Sequence, residues 1–512
     1  MTRETQQRRP NILLITSDQQ RADCFGFEGR KIKTPHLDAL AQDGTRFSRC
    51  ITPNVVCQPS RASILTGLLP SSHGVSDNGI DLPAETGDQG FAGTLARAGY
   101  STRMIGKAHF SSFHTFSPTG TPECVKSSAQ FDDQWRGPYM GFESNELLLI
   151  GHNYWLPYEP PQGLQYEAWY HRDGRGKDKG AAYVGYAPRT ETPQTYHSQL
   201  PVAWHNSTWI GDRAIDFLRE QHDQPFCAWV SFPDPHHPFD APEPWSHLHH
   251  PDEVDIPEHR RRDFEQRPWW HQAAAETVPK LSGELRKIRS EYSRMAELSD
   301  AQLRELTANY YGMISLIDHN VGRILIELDA QGLADNTLVV FTTDHGDWLG
   351  DHGLVLKGPM MYDGLLRVGL IMRGPGIPAN TVIGDPVSTL DLMATFLDFT
   401  NVTAQRDLDS RSLLPMLTQQ KTRDFAYNEW DLRAGRVGVA LDLRTVKTAR
   451  YRMTTECKSD TGELYDLQED PHELNNRYDD ASHAAVRREL SDMMASSRST
   501  AQSRDLPVVG TA

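Results

Sequence analysis

Nowhere in the 512 residues does an apolar run approach the ~18 positions that a membrane-spanning helix needs, so a membrane span is excluded. The start offers no secretion signal either. Met1 to Pro10 is polar and carries Arg3, Arg8 and Arg9, and the apolar run that follows, Ile12 to Ile15, is far shorter than a signal peptide's core. Cysteine is scarce. The six present, at 24, 50, 57, 124, 227 and 457, have neither C-x-x-C spacing nor the density of a disulfide scaffold. That pattern fits small core residues in a reducing compartment, and the expected location is the cytoplasm. Positive charge is also short, with 52 Lys and Arg against 68 Asp and Glu and a net charge of −16. Nucleic-acid affinity comes largely from basic residues neutralising phosphates, so nucleic acid is not an expected partner. A small anionic substrate would approach against this global field, and would need a metal or a focused cationic pocket to draw it in.

What is present is enough for a large core. Hydrophobic residues make up 38% and charged residues 23% of the chain, a globular composition rather than a disordered one. Short β-rich apolar runs alternate with longer helical patterns through the first four-fifths of the sequence, the rhythm of a parallel α/β sheet. Residues 11–16, 102–105, 227–232 and 337–341 are too short and too β-branched or aromatic to favour helices. The clearest helix spans about Ala301 to Leu328 behind the cap candidates Ser299 and Asp300, with Leu306, Met313, Ile317, Ile324 and Leu328 near one face. From about residue 421 the pattern shifts to short strands and a polar helix from roughly Ser482 to Ser496, and the last dozen residues read as frayed. This divides the chain into a catalytic α/β domain, 1–420, and a smaller α+β domain, 421–512.

The segments after the four strands carry the chemistry. The first strand leads into Asp18 and Gln19, the second into Lys107 and His109, the third into His236, and the fourth into Asp344 and His345. Ligands of open α/β sheets bind beyond the carboxyl ends of the strands, so four segments deliver ionisable groups to one edge. Carboxylates arriving there from two strands repel unless a cation lies between them, and a divalent ion would also activate a nucleophile. Cys57 stands just before a predicted helix, where an anion is favoured by the helix N-terminus.

Cys57-Gln58-Pro59-Ser60-Arg61, continued by Ala62-Ser63-Ile64-Leu65-Thr66-Gly67, resembles the C-x-P-S-R signature of the sulfatase family over eleven positions. Gly106-Lys107-Ala108-His109, Pro235-His236-His237-Pro238 and Lys357, thirteen residues after Asp344, resemble further sulfatase motifs. The resemblance implies an alkaline-phosphatase-like sandwich with a mostly parallel central sheet. It implies that a formylglycine-generating enzyme transiently engages the chain and oxidises Cys57 to formylglycine, whose hydrate has two hydroxyls on one carbon. One attacks sulfur to form a covalent sulfo-enzyme, and the other lets the carbon expel sulfate by reforming the aldehyde. By the same resemblance Asp18, Gln19, Asp344 and His345 hold one divalent ion, Arg61 and Lys107 brace the nucleophile, His109 assists sulfate expulsion, and His236 and Lys357 reach the sulfate and the departing oxygen. Oxygen ligands suit Ca²⁺, whereas an imidazole favours Mn²⁺. Homo-oligomers are common among such enzymes and one is expected here.

Gln19 and His345 depart from the Asp-Asp and Asp-Asn pairs of many sulfatases and are shared with the phosphonate monoester hydrolase branch of the superfamily. That branch usually carries neutral hydroxyl residues in place of Lys107 and His109. The expected substrate is a small-molecule sulfate ester; a phosphonate monoester or phosphodiester is the rival, and a non-catalytic anion-binding relative the alternative of another class. Asn78 aligns with a substrate-contacting asparagine of the phosphonate branch, although Asp77-Asn78-Gly79 is also a good turn. Arg367-Val368 with Pro375-Gly376, and Glu463 to Leu467 with Asp470 to Glu473, resemble structural parts of the family. Residues 113–200, rich in Tyr and Trp, read equally as pocket walls or as packing. His247, His249, His250 and Arg260 to Arg262 read as solvated, and His237 as an ordinary packed histidine.

Overall fold

A computed structural model gives the fold and describes residues 9–510, apart from 133, 150–163, 185–189, 280–281, 284–285, 287–288, 291–292, 419–421 and 498–504. Fourteen strands are present among them: β1 (Asn11–Ser17), β2 (Thr45–Phe47), β3 (Cys50–Ile51), β4 (Ser101–Gly106), β5 (Ser144–Leu147), β6 (Phe226–Ser231), β7 (Thr337–Thr343), β8 (Leu370–Arg373), β9 (Thr381–Ile383), β10 (Val387–Ser388), β11 (Phe425–Leu432), β12 (Leu441–Thr448), β13 (Tyr451–Glu456) and β14 (Thr461–Asp466). Eight form one sheet in the order β5-β4-β6-β1-β7-β8-β2-β9. All neighbours are parallel except β8, which opposes both β7 and β2. The four strands expected from the sequence are the contiguous middle, β4-β6-β1-β7.

Those middle strands are almost continuously apolar because both faces of the sheet are covered. Along β1, Ile12 and Leu14 enter one core with Trp229, Val340 and Met104. Leu13 and Ile15 enter the other with Val230, Phe341 and Ile105. The first core also takes Ala62, Ile64 and Leu65 from the helix that begins at Cys57. The second is closed by the helices Asn206–Arg219 and Asp300–Ala330. The long helix starts where Ser299 and Gln302 exchange side-chain and backbone hydrogen bonds in a capping box. Its predicted apolar face is fully buried, but serves two cores: Leu306 and Met313 pack under the 239–256 loop, and Ile317, Ile324 and Leu328 against the sheet.

β11 to β14 make a separate antiparallel meander, with the helix Ala484–Ser497 beside it. The acids of its family-like segments are structural: Glu463 and Glu473 flank the buried Arg452, and Glu473 Oε2 also accepts from the Asp363 N–H at 2.8 Å. The tail is not frayed throughout. The N–H groups of Val509 and Gly510 donate to the Gly79 carbonyl at 2.8 and 3.2 Å, a backbone pairing that no side-chain pattern records. Tyr166 and Tyr170 pack inward, with Tyr166 5.2 Å from the Trp209 ring, whereas Tyr154, Trp155, Tyr158 and Tyr186 and the Tyr183 side chain lie outside the described residues. His249 departs from the solvated reading: it is buried, with Nε2 2.9 Å from Ser315 Oγ. Arg260 and Arg261 share Asp300.

Ser299→Ala removes half of the capping box and should lower the unfolding free energy by about 1 kcal/mol, read as a lower urea midpoint. An unchanged midpoint would show that the cap is dispensable to the long helix.

Candidate active site

The local sequence presents Cys57 at the first turn of a buried helix. Val56 is extended, and its N–H is held by Asn54 Oδ1 at 2.9 Å. The meander fixes this approach from outside: Asn54 donates to the Glu429 carbonyl at 2.7 Å, and Asn428 to the Thr52 carbonyl at 2.9 Å. Ten consecutive residues, Cys57 to Thr66, are buried, so even the polar side of the helix faces protein. Gly67 ends it at φ 64°, a left-handed conformation suited to glycine.

The strand ends then close around Cys57. Its Sγ lies 3.1 Å from His345 Nε2, 3.0 Å from Lys357 Nζ and 3.6 Å from Asp18 Oδ1. Lys107 Nζ reaches Asp18 Oδ2 at 2.5 Å. Arg61, wholly buried, donates from Nε to Asp344 Oδ2 at 2.9 Å and from Nη1 to the Lys107 carbonyl and Ser231 Oγ, both at 2.8 Å. One arginine therefore ties the helix to the ends of β4, β6 and β7. Asp18, Cys57, Asp344 and His345 present ligand atoms within 4.8 Å of one another.

Two carboxylates, Asp18 and Asp344, thus face three fixed cations, Arg61, Lys107 and Lys357. Burial works against the Asp18 anion, but Lys107, Lys357 and Arg61 hold its carboxyl well below the ordinary range. Burial and the neighbouring Asp18 charge push Asp344 up. Burial and Asp18 also oppose ionisation of Cys57, yet Lys357, Lys107 and His345 bring the thiol down to about 6. The pocket therefore favours negative charge at position 57 although the residue is buried. His109 is driven the other way: burial, then Lys107 and Arg61, keep its imidazole neutral.

The remaining predicted residues line the edge. Gln19, at φ 64°, donates its N–H to Asp344 Oδ1 at 3.1 Å, while its carboxamide turns to Asp347 Oδ2 at 2.6 Å. Asn78 Oδ1 accepts from the Gln58 N–H at 3.0 Å, one residue beyond the nucleophile. His236 stacks on His237 with ring centroids 4.1 Å apart, and among the described residues neither His236 nor His109 has a direct bond to Cys57. His237 is more than packing, because Nδ1 lies 3.4 Å from Gln19 Nε2. Asp347 was not anticipated. Its carboxyl is pushed up to about 6 by burial, and its place three residues after Asp344 was the available signal. Glu123 was missed too; it accepts the N–H groups of His109, Phe110 and Ser111 and holds that loop in place, from a segment without periodicity.

The Sulfatase family model matches residues 10–155 and 161–402. The chain belongs to the sulfatase family. A second model, N-sulphoglucosamine sulphohydrolase C-terminal, matches residues 350–500. The chain of this sulfatase is 28% identical to an arylsulfatase of Clostridium perfringens, over 91% of its length and 90% of that protein's. It is 29% identical to the multifunctional alkaline phosphatase superfamily protein PehA of Trinickia caryophylli, over 97% of each. Among solved structures, the phosphonate monoester hydrolase of Agrobacterium radiobacter is similar with a TM-score of 0.74 and 27% identity, covering 96% of this chain and 95% of that one. The central sheet with its C-terminal antiparallel sheet is thus the alkaline-phosphatase-like architecture of a sulfuric ester hydrolase.

The sulfatase's side chains fit a divalent cation. His345 Nδ1 lies 2.9 Å from the Gly346 carbonyl, so that nitrogen carries a proton, and Nε2, which faces Asp18 and Asp344, is the one a cation would take in place of a proton. Gln19 Oε1 is buried without a hydrogen-bond partner. Asp344→Asn should reduce divalent-metal affinity by about 10-fold or more, measured as metal content after dialysis against a buffered metal. Full metal content in that variant would remove Asp344 from the ligand set.

Proposed function

We propose that this sulfatase hydrolyses sulfate monoesters of small molecules, using formylglycine made from Cys57 and one divalent ion held by Asp18, Gln19, Asp344 and His345. The observation that carries the reading is the buried pocket at the start of the Cys57 helix, where Lys107, Lys357 and Arg61 outnumber the carboxylates and favour an anion at the nucleophile. A bound cation would supply the field that lowers the nucleophilic hydroxyl's pKa. The formylglycine hydrate would supply both that hydroxyl and the one that later expels sulfate.

The chain's own groups do the remaining work. Arg61 fixes Asp344 and the Lys107 carbonyl, and so sets the position of the nucleophile's surroundings. Asp344 or another carboxylate of the metal set takes the attacking hydroxyl's proton. Lys357 and His236 serve the departing alkoxide, a role worth about 10²-fold to 10⁴-fold for a positioned acid. Lys107 restrains the transferred oxygens. Neutral His109 accepts the proton whose loss lets the second hydroxyl expel sulfate.

A second reading, hydrolysis of phosphonate monoesters or phosphodiesters, is favoured by Gln19 and His345 and by the likeness to a phosphonate monoester hydrolase. These substrates also carry a single negative charge near neutral pH, so net charge separates them poorly from sulfate esters. Lys107 and His109 decide for sulfate in our reading, because they act on the transferred group rather than on activation of the nucleophile.

The expected order of kcat/KM is aryl sulfate above aryl phosphonate monoester and aryl phosphodiester. Replacing Lys107 with Tyr and His109 with Thr should depress the sulfate reaction more than the phosphonate reaction, by about tenfold or ~1.4 kcal/mol in relative barrier. Equal losses, or a wild-type preference for the phosphonate, would overturn the assignment of selectivity to these two residues.

A further inference from the structure

A second group of cations lies beside the nucleophile and takes no part in the chemistry above. One cleft is lined by Asp77, Asn78, Arg289, Arg433, Arg436 and Val508, and a neighbouring one by Arg294, Arg436 and Lys357. Arg436 belongs to both. Both touch the reaction centre. Asn78 accepts from the N–H of Gln58, the residue after Cys57, and Lys357 Nζ stands 3.0 Å from Cys57 Sγ.

The cluster is under-compensated. Arg436 pairs with Asp77 at 3.0 Å, and Arg433 with Asp505 at the rim at 3.4 Å. Arg289 is only 5% exposed, yet among the described residues its one hydrogen bond runs to Ser293 Oγ at 3.4 Å, and its Nε is buried without a partner. Arg294 donates from Nη1 to the Thr277 carbonyl at 2.7 Å, while its Nη2 is buried and unpartnered. Among the described residues no carboxylate forms an ion pair with either, although the Asp77 charge, already paired with Arg436, also acts on Arg289. Burial and the nearby Arg436 charge hold Arg289 down to about 9 and lower Arg294 as well. An unpaired buried cation normally costs several kcal/mol, so a fold that keeps the buried Arg289, with the half-buried Arg294 on the other side of Arg436, in a chain of net charge −16, keeps them for an anion that arrives from outside.

We propose that Arg289, Arg294 and Arg436 form a subsite for a second anionic oxygen group, a carboxylate or a sulfate, on the alcohol part of the sulfate ester. The substrate is then a dianionic ester, bound at Cys57 by the group to be transferred and at the arginines by the group that stays. The assignment rests on the sulfate-ester reading and adds the substrate class to it. Without such a subsite the overall negative field would disfavour the more anionic of two matched substrates.

The test uses phenyl sulfates bearing carboxymethyl, sulfomethyl or neutral carboxamidomethyl groups at the 3 or 4 position, assayed with the full-length, metal-loaded enzyme. For at least one isomer, kcat/KM should favour an anionic substituent over the amide by about tenfold or more, the scale of one hydrogen bond to a charged group. The better of the two anions identifies the group that the arginines take. Arg289→Met should bring the ratio toward unity and leave turnover of the amide intact, without lowering Tm, since it removes an unpaired charge. Arg294→Met, on the other wall, repeats the test should the first variant lose its fold. Parity, or preference for the amide with every isomer, overturns the subsite, as does a preference that survives both substitutions. If no phenyl sulfate turns over, the sulfate-ester reading fails, and calorimetry of the same compounds with Cys57→Ala decides the subsite alone. Tighter binding of the anionic member supports it and equal binding overturns it.

Discussion

The site depends on an electrostatic stand-off between the Asp18 and Asp344 carboxylates, both buried within a few ångströms of Cys57, and the cations of Arg61, Lys107 and Lys357. Neither set could be buried alone, because an uncompensated charge in a dry interior is costly. Together they set both signs of charge around Cys57, and our reading places one further anion, the nucleophile, and one further cation between them. The raised Asp344 and depressed Asp18 show how two adjacent carboxylates divide when no ion lies between them.

The fold serves that balance by holding its members on rigid parts. Asp18, Lys107 and Asp344 follow three of the four middle strands of the sheet, and Arg61 projects from a helix whose apolar side enters the adjoining core. The C-terminal meander is not an appendage. β11 grips the turn before Cys57 through Asn54 and Asn428, and Glu473 holds the Asp363 N–H. In the proposed subsite Arg289, Arg294 and Arg436 line clefts that adjoin the nucleophile through Asn78 and Lys357.

Much of this was legible in the sequence, for definite reasons. The middle strands are buried on both faces, so their apolar runs are continuous, and polar residues immediately after each run mark the ligand-binding edge. The Ser299 cap and the apolar period of the long helix were equally plain. The short strands β2, β3, β5, β8, β9 and β10 have two to four residues each, too few to show a period. Asp347, His237 and Glu123 were hidden because each acts through another residue: Asp347 and His237 through the Gln19 carboxamide, and Glu123 through the backbone of the His109 loop. The docked 508–510 tail and the arginine subsite depend on contacts between segments hundreds of residues apart, which local pattern does not record.

The central claim is that this charge balance serves a formylglycine at position 57. The most direct measurement is mass spectrometry of the Cys50 to Arg61 peptide from preparations made with and without the oxidising enzyme, set against the specific activity of each on an aryl sulfate. The account predicts that activity rises in proportion to the fraction of residue 57 converted to formylglycine. An active preparation in which that residue is entirely unmodified cysteine would contradict it.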